Sequence, residues 1–209
     1  VKTPYLVLAG LLFAIAVLIA LFRLPKIHHG EPTDGAAGRQ SILAHRHLVF
    51  GVIAIFCYVG AEVSIGSFMV NYLALPDIGN ISEARAAGYV SLYWGGAMIG
   101  RFIGSALLTR IDTRKLLAFN AAVAALLVLT TMLTHGHIAM ASVIAIGLFN
   151  SIMFPNIFTL GIEKFGPLTG KVSSLLVMAI VGGAVIPLLQ GVLADHVGVH
   201  HAFVLPLLC

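Results

Sequence analysis

From its amino end, the chain alternates long apolar runs with short polar breaks. The runs fall at about residues 3 to 22, 48 to 75, 87 to 108, 116 to 134, 137 to 162 and 172 to 194, and a seventh begins near His201 and is cut at Cys209. A helix rises about 1.5 Å per residue and a bilayer's hydrocarbon core is about 30 Å thick, so about 20 apolar residues cross it. Each of the six complete runs is long enough. The second and fifth, at 28 and 26 residues, exceed that length and must tilt or bend. None shows the polar alternation that a membrane β-barrel needs on its lumen side. The pattern therefore predicts an all-α integral membrane protein. The first run is too long for a secretory signal and lacks its small-residue cleavage site, so it counts as a span. A start at Val1 rather than Met, and a last run interrupted at Cys209, make the chain read as a piece of a longer protein.

Composition agrees with the pattern. Of 209 residues, 59% are hydrophobic and 10% charged, with a mean hydropathy of +1.03; a soluble domain has about 45–50% apolar and about 25% charged residues. A soluble globule is excluded. The placement of charge then orients the spans, because Lys and Arg concentrate in cytoplasmic breaks. Alternate breaks carry Arg23, Lys26, Arg39 and Arg46, then Arg110, Arg114 and Lys115, then Lys164 and Lys171; the opposite side has only Lys2 and Arg85. Residues 23 to 46 are therefore expected in the cytoplasm and residues 76 to 86 outside. Basic loops that hold topology account for the pI of 9.3, and no nucleic-acid partner is needed. The stretch PKIHHGEPTDGAAGRQS is the only long polar segment and reads as a linker. Cys57 and Cys209 are isolated in sequence and imply neither a disulfide nor a metal site.

Chemistry is sought where lipid should reject a residue. An ionisable group at the centre of a span costs at least ~2.5–3.5 kcal/mol on insertion scales, which makes it a functional candidate by default. Glu62 lies about 14 residues from either end of the second run. It can bind a polar solute, carry a coupled proton or pair with a base; the plainer reading is a structural hydrogen bond to another helix. At about 100° per residue, Gly60, Ser64, Ser67 and Asn71 share one face, while Glu62 projects roughly opposite with Tyr58 and Gly66. The small-polar stripe is expected to pack on a neighbouring helix and Glu62 to face an aqueous path.

The fifth run contains Pro155, which cannot donate to the carbonyl of Ser151, so a bend is expected near Phe154. Asn150 and Asn156 flank it, and their amides suit either a neutral polar ligand or helix-to-helix bonding. Gln190 in the sixth run, after Gly182, Gly183 and Pro187, can do the same two jobs. Arg101 lies about two turns inside the third run and reads as structural or gating. Trp94, beside Gly95 and Gly96, can stack on a ligand or pack, and Gly96, Gly100 and Gly104 mark a close helix contact. Nine histidines raise the alternative of a membrane metalloenzyme. His28, His29, His45 and His47 fall on one side and His135, His137, His196, His200 and His201 on the other, with no ligand spacing inside a span. A shared metal centre is not expected.

The stretches FCYVGAEVSIGSFMVNYL, YWGGAMIGRFIGSALLTR and SIMFPNIFTLGIEKFGPLTGKVSSLLVMAIVGGAVIPLLQGVLAD resemble the fucose/galactose/glucose:proton symporter family of the major facilitator superfamily. The fucose-type pattern carries an amide where this chain has Glu62, so the glucose/galactose-type branch is favoured. The resemblance implies a carboxy-terminal six-helix bundle preceded by helix six, with its last helix truncated. Residues 1–22 would be transmembrane helix six, 23–46 the cytoplasmic linker between halves, and 47–209 helices seven to eleven with the start of twelve. It further implies a transporter rather than an enzyme, importing a hexose or 6-deoxyhexose by proton or sodium symport with no other cofactor; the alternative within the superfamily is a transporter of another polar solute. The partners would be the amino-terminal half of the same transporter and membrane lipid, in a plasma membrane of the bacterial inner-membrane type. Helices seven and ten line the cavity in that family, so Glu62, Asn150 and Asn156 would contribute to the substrate site, with Gln190 and Trp94 beside them. Arg101, Pro155, Arg110 and Arg114 would be gating or structural; the loop GSALLTRIDTRK follows the superfamily's loop motif only loosely, with Thr109 in place of the acid and Asp112 in place of the glycine.

Overall fold

A computed structural model describes residues 2–21 and 45–209, so the expected linker lies almost wholly outside the described residues, as do His28 and His29. The chain divides into two units, Val1–Gly38 and Arg39–Cys209. The first contains helix α1, Lys2–Leu21, which is apolar over nearly its whole length. The second is a helical bundle, with no strand among the described residues.

The bundle follows the apolar runs closely. Its elements are α2 (Arg46–Ala74), α3 (Glu83–Leu108), α4 (Thr113–Leu133), α5 (Gly136–Asn150), α6 (Met153–Ile162), α7 (Thr169–Met178), α8 (Gly182–Val197) and two short helices, α9 (Val199–Ala202) and α10 (Val204–Leu208). Among the described residues, four stretches are long and apolar enough to cross a membrane: α2, α4, α5 with α6, and the composite from Gly166 to Val197. Helix α3 has 26 residues, but its glycines, tyrosines and Arg101 lower its hydropathy. Large apolar side chains such as Phe50, Phe102, Phe119, Leu126 and Leu188 are exposed around the bundle. Lipid tails are as apolar as these side chains, so such a surface is stable in a bilayer and would not be in water.

Local chemistry places the ends. Asp112 caps α4, its carboxylate accepting from the backbone nitrogens of Arg114 at 3.0 Å and Lys115 at 3.4 Å, which satisfies donors that the first helical turn leaves free. Gly198 ends α8 at φ 84°, ψ 156°, a conformation open essentially to glycine alone. Residues 45–47 meet Phe165 at one end of the bundle, where Arg114 also reaches Glu163. At the other end the backbone nitrogen of Gly136 donates to the carbonyl of Asp77, and the His200 ring bonds the carbonyl of Met132. The breaks thus alternate between two ends, as the apolar runs require.

Two details differ from the sequence reading. The bend expected near Phe154 falls at Ser151–Ile152, where α5 stops and α6 has not begun. Proline disturbs the carbonyl four residues before it, and for Pro155 that carbonyl belongs to Ser151, so the ladder opens there and resumes with the Asn156 nitrogen donating to Ile152 at 3.2 Å. The small-polar stripe of α2 is also only half packed. Gly60 and Ser64 are buried, and Gly60 meets Ile186 and the carbonyl of Gly182. Ser67 and Asn71 are exposed, because one step further along it is the ring of Phe68 that reaches α8, at Gly191.

The apolar core comes in two clusters. One gathers Ile65, Met69, Tyr72, Tyr93, Val143, Ile146 and Phe203, and the other Leu48, Ile55, Tyr58, Ile157, Val172 and Leu176. Along α2 the boundary between them falls at residues 60–64. Cys57 of α2 and Cys209 are both free, half-buried thiols.

Candidate solute-binding site

Glu62 lies at this boundary, near the middle of the 29-residue α2, and is partly buried. Tyr58, one turn earlier on the same face, is buried and donates its hydroxyl hydrogen to the backbone carbonyl of Asn150 at 2.7 Å. The side-chain amide of Asn150 donates in turn to the hydroxyl of Tyr93 at 3.2 Å. Arg101, one helix across, donates from Nε to the carbonyl of Ser151 at 3.3 Å. Glu62 follows Tyr58 by one helical turn on the same face of α2, at the level of these bonds. A carboxylate, two phenols, an amide and a guanidinium therefore meet at mid-depth, contributed by α2, α3 and α5.

Trp94 completes the arrangement. Its ring stands edge-on to Tyr93 at 5.2 Å between centroids, and it packs over Gly66, which shares the Glu62 face of α2. The indole is 49% exposed, so one flat apolar surface stays open beside the polar groups. A carboxylate and a fixed amide that orient hydroxyls, with an aromatic face for ring C–H groups, are the chemistry by which a polyol is held.

The other candidates are placed elsewhere. Asn156 is buried one turn beyond the break, and its amide nitrogen has no hydrogen-bond partner among the described residues. Gln190 is wholly enclosed, with both side-chain polar atoms unpartnered among the described residues. The contact of Gly60 with Ile186 sets the register of α2 on α8 and brings Gln190 to the level of Ser64, whose hydroxyl is also unpartnered. Neither amide bonds to the Glu62 cluster. Pro155 is exposed at the break, Arg110 is exposed in the turn before α4, and Arg114 forms a 3.1 Å ion pair with Glu163 between half-exposed or more open side chains. No three His, Cys, Asp or Glu side chains among the described residues gather closely enough to hold a metal. Tyr58 and Asn150 also border an apolar cavity of about 420 Å³ between α2, α4 and α10.

The tyrosines are what residue-by-residue scanning misses. Tyr58 carried a signal, since it shares the Glu62 face; Tyr93 carried none beyond its neighbour Trp94.

The described helices form a multi-pass bundle of membrane-spanning length with polar side chains gathered at mid-depth. The chain belongs to the major facilitator superfamily, whose sequence pattern it matches over residues 1–186. It is 52% identical, over all of its 209 residues, to a glucose/galactose transporter of Brucella abortus, and covers 51% of that protein. It is 33% identical to the L-fucose-proton symporter of Escherichia coli, again over the full chain and 49% of the relative. The crystal structure of the major facilitator transporter FucP in the outward conformation superposes with a TM-score of 0.86 at 33% identity, over 100% of this chain and 51% of that one. The chain thus spans about half the length of the relatives it matches, corresponding to their carboxy-terminal half.

Proposed function

We propose that this chain is the carboxy-terminal half of a cation-coupled hexose importer of the glucose/galactose type, working by alternating access around a midplane site. The observation that carries the reading is Glu62 held at membrane depth among Tyr58, Tyr93, Asn150 and Arg101 and beside the open face of Trp94. The higher identity to a glucose/galactose transporter than to a fucose symporter, 52% against 33%, supports the branch. Glu62 and Asn150 bind sugar hydroxyls and Trp94 stacks on the ring. Asn156 and Gln190 belong to the packing around the site, because each is buried without a bond to the cluster. Arg114 and Arg110 hold the basic end, and Arg101 and Pro155 shape the break in the tenth family helix.

The remaining elements follow from the same reading. Residues 1–22 form the sixth family helix, 23–46 the cytoplasmic linker and 47–209 the second bundle, in a bacterial inner membrane, with nine of twelve basic residues on the cytoplasmic side. The amino-terminal half supplies the other wall of the site, and a proton or sodium ion drives import. The test is glucose and galactose counterflow by the intact transporter in liposomes, with and without Glu62→Gln and Asn150→Ala. The reading requires saturable exchange in the parent and its loss in both variants; normal exchange in both removes the site, and no exchange of any hexose by the parent removes the substrate.

A further inference from the structure

At the end of the bundle away from the Arg114–Glu163 pair, the ends of several helices converge on one imidazole. His200 of α9 bonds the carbonyl of Met132, in the last turn of α4, through Nε2 at 2.7 Å. Its ring stacks on Tyr72 of α2 at 5.7 Å between centroids and 26°, and on His135, the residue before α5, at 5.1 Å and 9°. Tyr72 is anchored in turn, its hydroxyl donating to the carbonyl of Thr131 at 2.7 Å. The turn between α2 and α3 joins through Asp77. Its carbonyl accepts from the Gly136 nitrogen at 3.0 Å, and its carboxylate lies 3.9 Å from Nε2 of His135. Gly198, at φ 84°, breaks the chain between α8 and α9, so side-chain contacts rather than a continuous helix must hold α9 in place.

The bond to Met132 fixes the tautomer. A carbonyl only accepts, so Nε2 of neutral His200 carries the hydrogen and Nδ1 is the bare acceptor. Nδ1 is buried and has no hydrogen-bond partner among the described residues. A second proton would give a buried N–H with nothing to receive it, which is costly. It would also set a positive charge parallel to the ring of His135, and two charged imidazoles stacked in this way repel each other. The other groups around the stack do not offset this. Tyr72 is neutral with its O–H committed, His201 meets His200 as a third imidazole at 5.4 Å, and Asp77 faces His135. Asp195 and His196 at the end of α8, and His137 beyond the turn, are exposed and make no ring contact or ion pair with the stack among the described residues.

We propose that the His135–His200 stack is a pH-sensitive latch, which pins α9 to α2 and α4 while at most one ring is charged and releases α9 when both are. The structure shows the latched state, with Nε2 on the carbonyl and the rings parallel. Imidazoles are the side chains that gain charge between about pH 8 and about pH 5, so the device works in the ordinary range of environmental acidity. Lys and Arg concentrate at the opposite end of the bundle, which puts the latch on the outer side and makes external acid its signal. In the transport reading above that is the side from which solute enters, but the latch itself does not depend on any solute.

The experiment is amide hydrogen exchange of residues 199–205 in the intact transporter without solute, from about pH 7.5 to about pH 5.5. Rates are taken relative to residues 116–128 of α4 in the same sample, which cancels the pH dependence of the exchange chemistry. The relative rate should rise roughly tenfold on acidification, the size expected of two like charges one ring apart. His200→Gln keeps a donor for the Met132 carbonyl and cannot charge, so the rise should vanish. His135→Gln alters an exposed side chain and removes the second charge, and should cut the rise to roughly threefold or less, the share left to the buried N–H. No rise in the parent overturns the proposal, and so does an undiminished rise in either variant. No sugar enters the readout, so its failure leaves the transport reading standing, and failure of sugar exchange leaves the latch standing.

Discussion

Helix α2 has two faces of opposite character. On one, Gly60 and Ser64 lie against α8, and Gly182 of α8 is so close that an added Cβ would strike the carbonyl of Phe56. On the other, one half-turn away, Tyr58, Glu62 and Gly66 meet α3 and α5 through side chains that reach, donate and stack. The first face is specified by what is absent, a side chain, and the second by what is present, a charge. Lipid gives helices little apolar drive to associate, so close backbone contact must supply the packing; a charge in the same bilayer is costly and is kept where it has work to do. The difference predicts that the two faces fail differently when altered.

The largest effect belongs to the packed face. Gly182→Val forces a branched side chain into the Phe56 backbone and should cost about 3 kcal/mol or more, since overpacking of this kind has no flexible neighbour to yield. Thermal unfolding of the detergent-solubilised intact protein checks it. A normal melting temperature would mean that α2 and α8 are not in close contact.

Next comes the polar face. Glu62→Gln should weaken hexose binding by about 10–100-fold, the worth of a hydrogen bond to a charged group, without lowering the melting temperature. Asn150→Ala should act on both quantities, because its amide holds the Tyr93 hydroxyl as well as the proposed sugar. Trp94→Ala should raise the hexose KM by roughly tenfold, the loss of an aromatic stacking face, and leave stability nearly unchanged given the exposure of the ring.

The smallest effect lies at the basic end. The Arg114–Glu163 pair is solvent-exposed on both sides, and Arg114→Ala should cost no more than ~0–1 kcal/mol and become undetectable in high salt. A large, salt-insensitive loss would reveal a latch rather than a surface ion pair.

Much of this architecture is legible in the sequence because the bilayer simplifies the code. Apolar runs of membrane length mark the helices to within a few residues, and the insertion cost singles out Glu62 and Arg101 before any contact is known. The proline rule was legible too, but its effect falls on the carbonyl of Ser151 rather than beside Pro155, which is why the bend lies before Phe154. What the sequence hides is pairing across distance. Tyr58 and Asn150 are separated by 92 positions and Tyr93 and Asn150 by 57, and no periodicity within a helix announces that they touch. Asn156 and Gln190 show the converse limit. Their residue type suggests a ligand, yet whether an amide in a span faces a cavity or a neighbouring helix depends on how the helices are rotated, and that is set by glycines elsewhere, such as Gly60 and Gly182.

The most direct measurement is hexose counterflow by the intact transporter carrying Glu62→Gln, run beside Ser64→Ala from the opposite face of the same helix. The account predicts that Glu62→Gln abolishes or sharply weakens exchange while remaining folded, and that Ser64→Ala, which removes a buried hydroxyl without a partner among the described residues, exchanges as the parent does. Normal exchange with Glu62→Gln would contradict it.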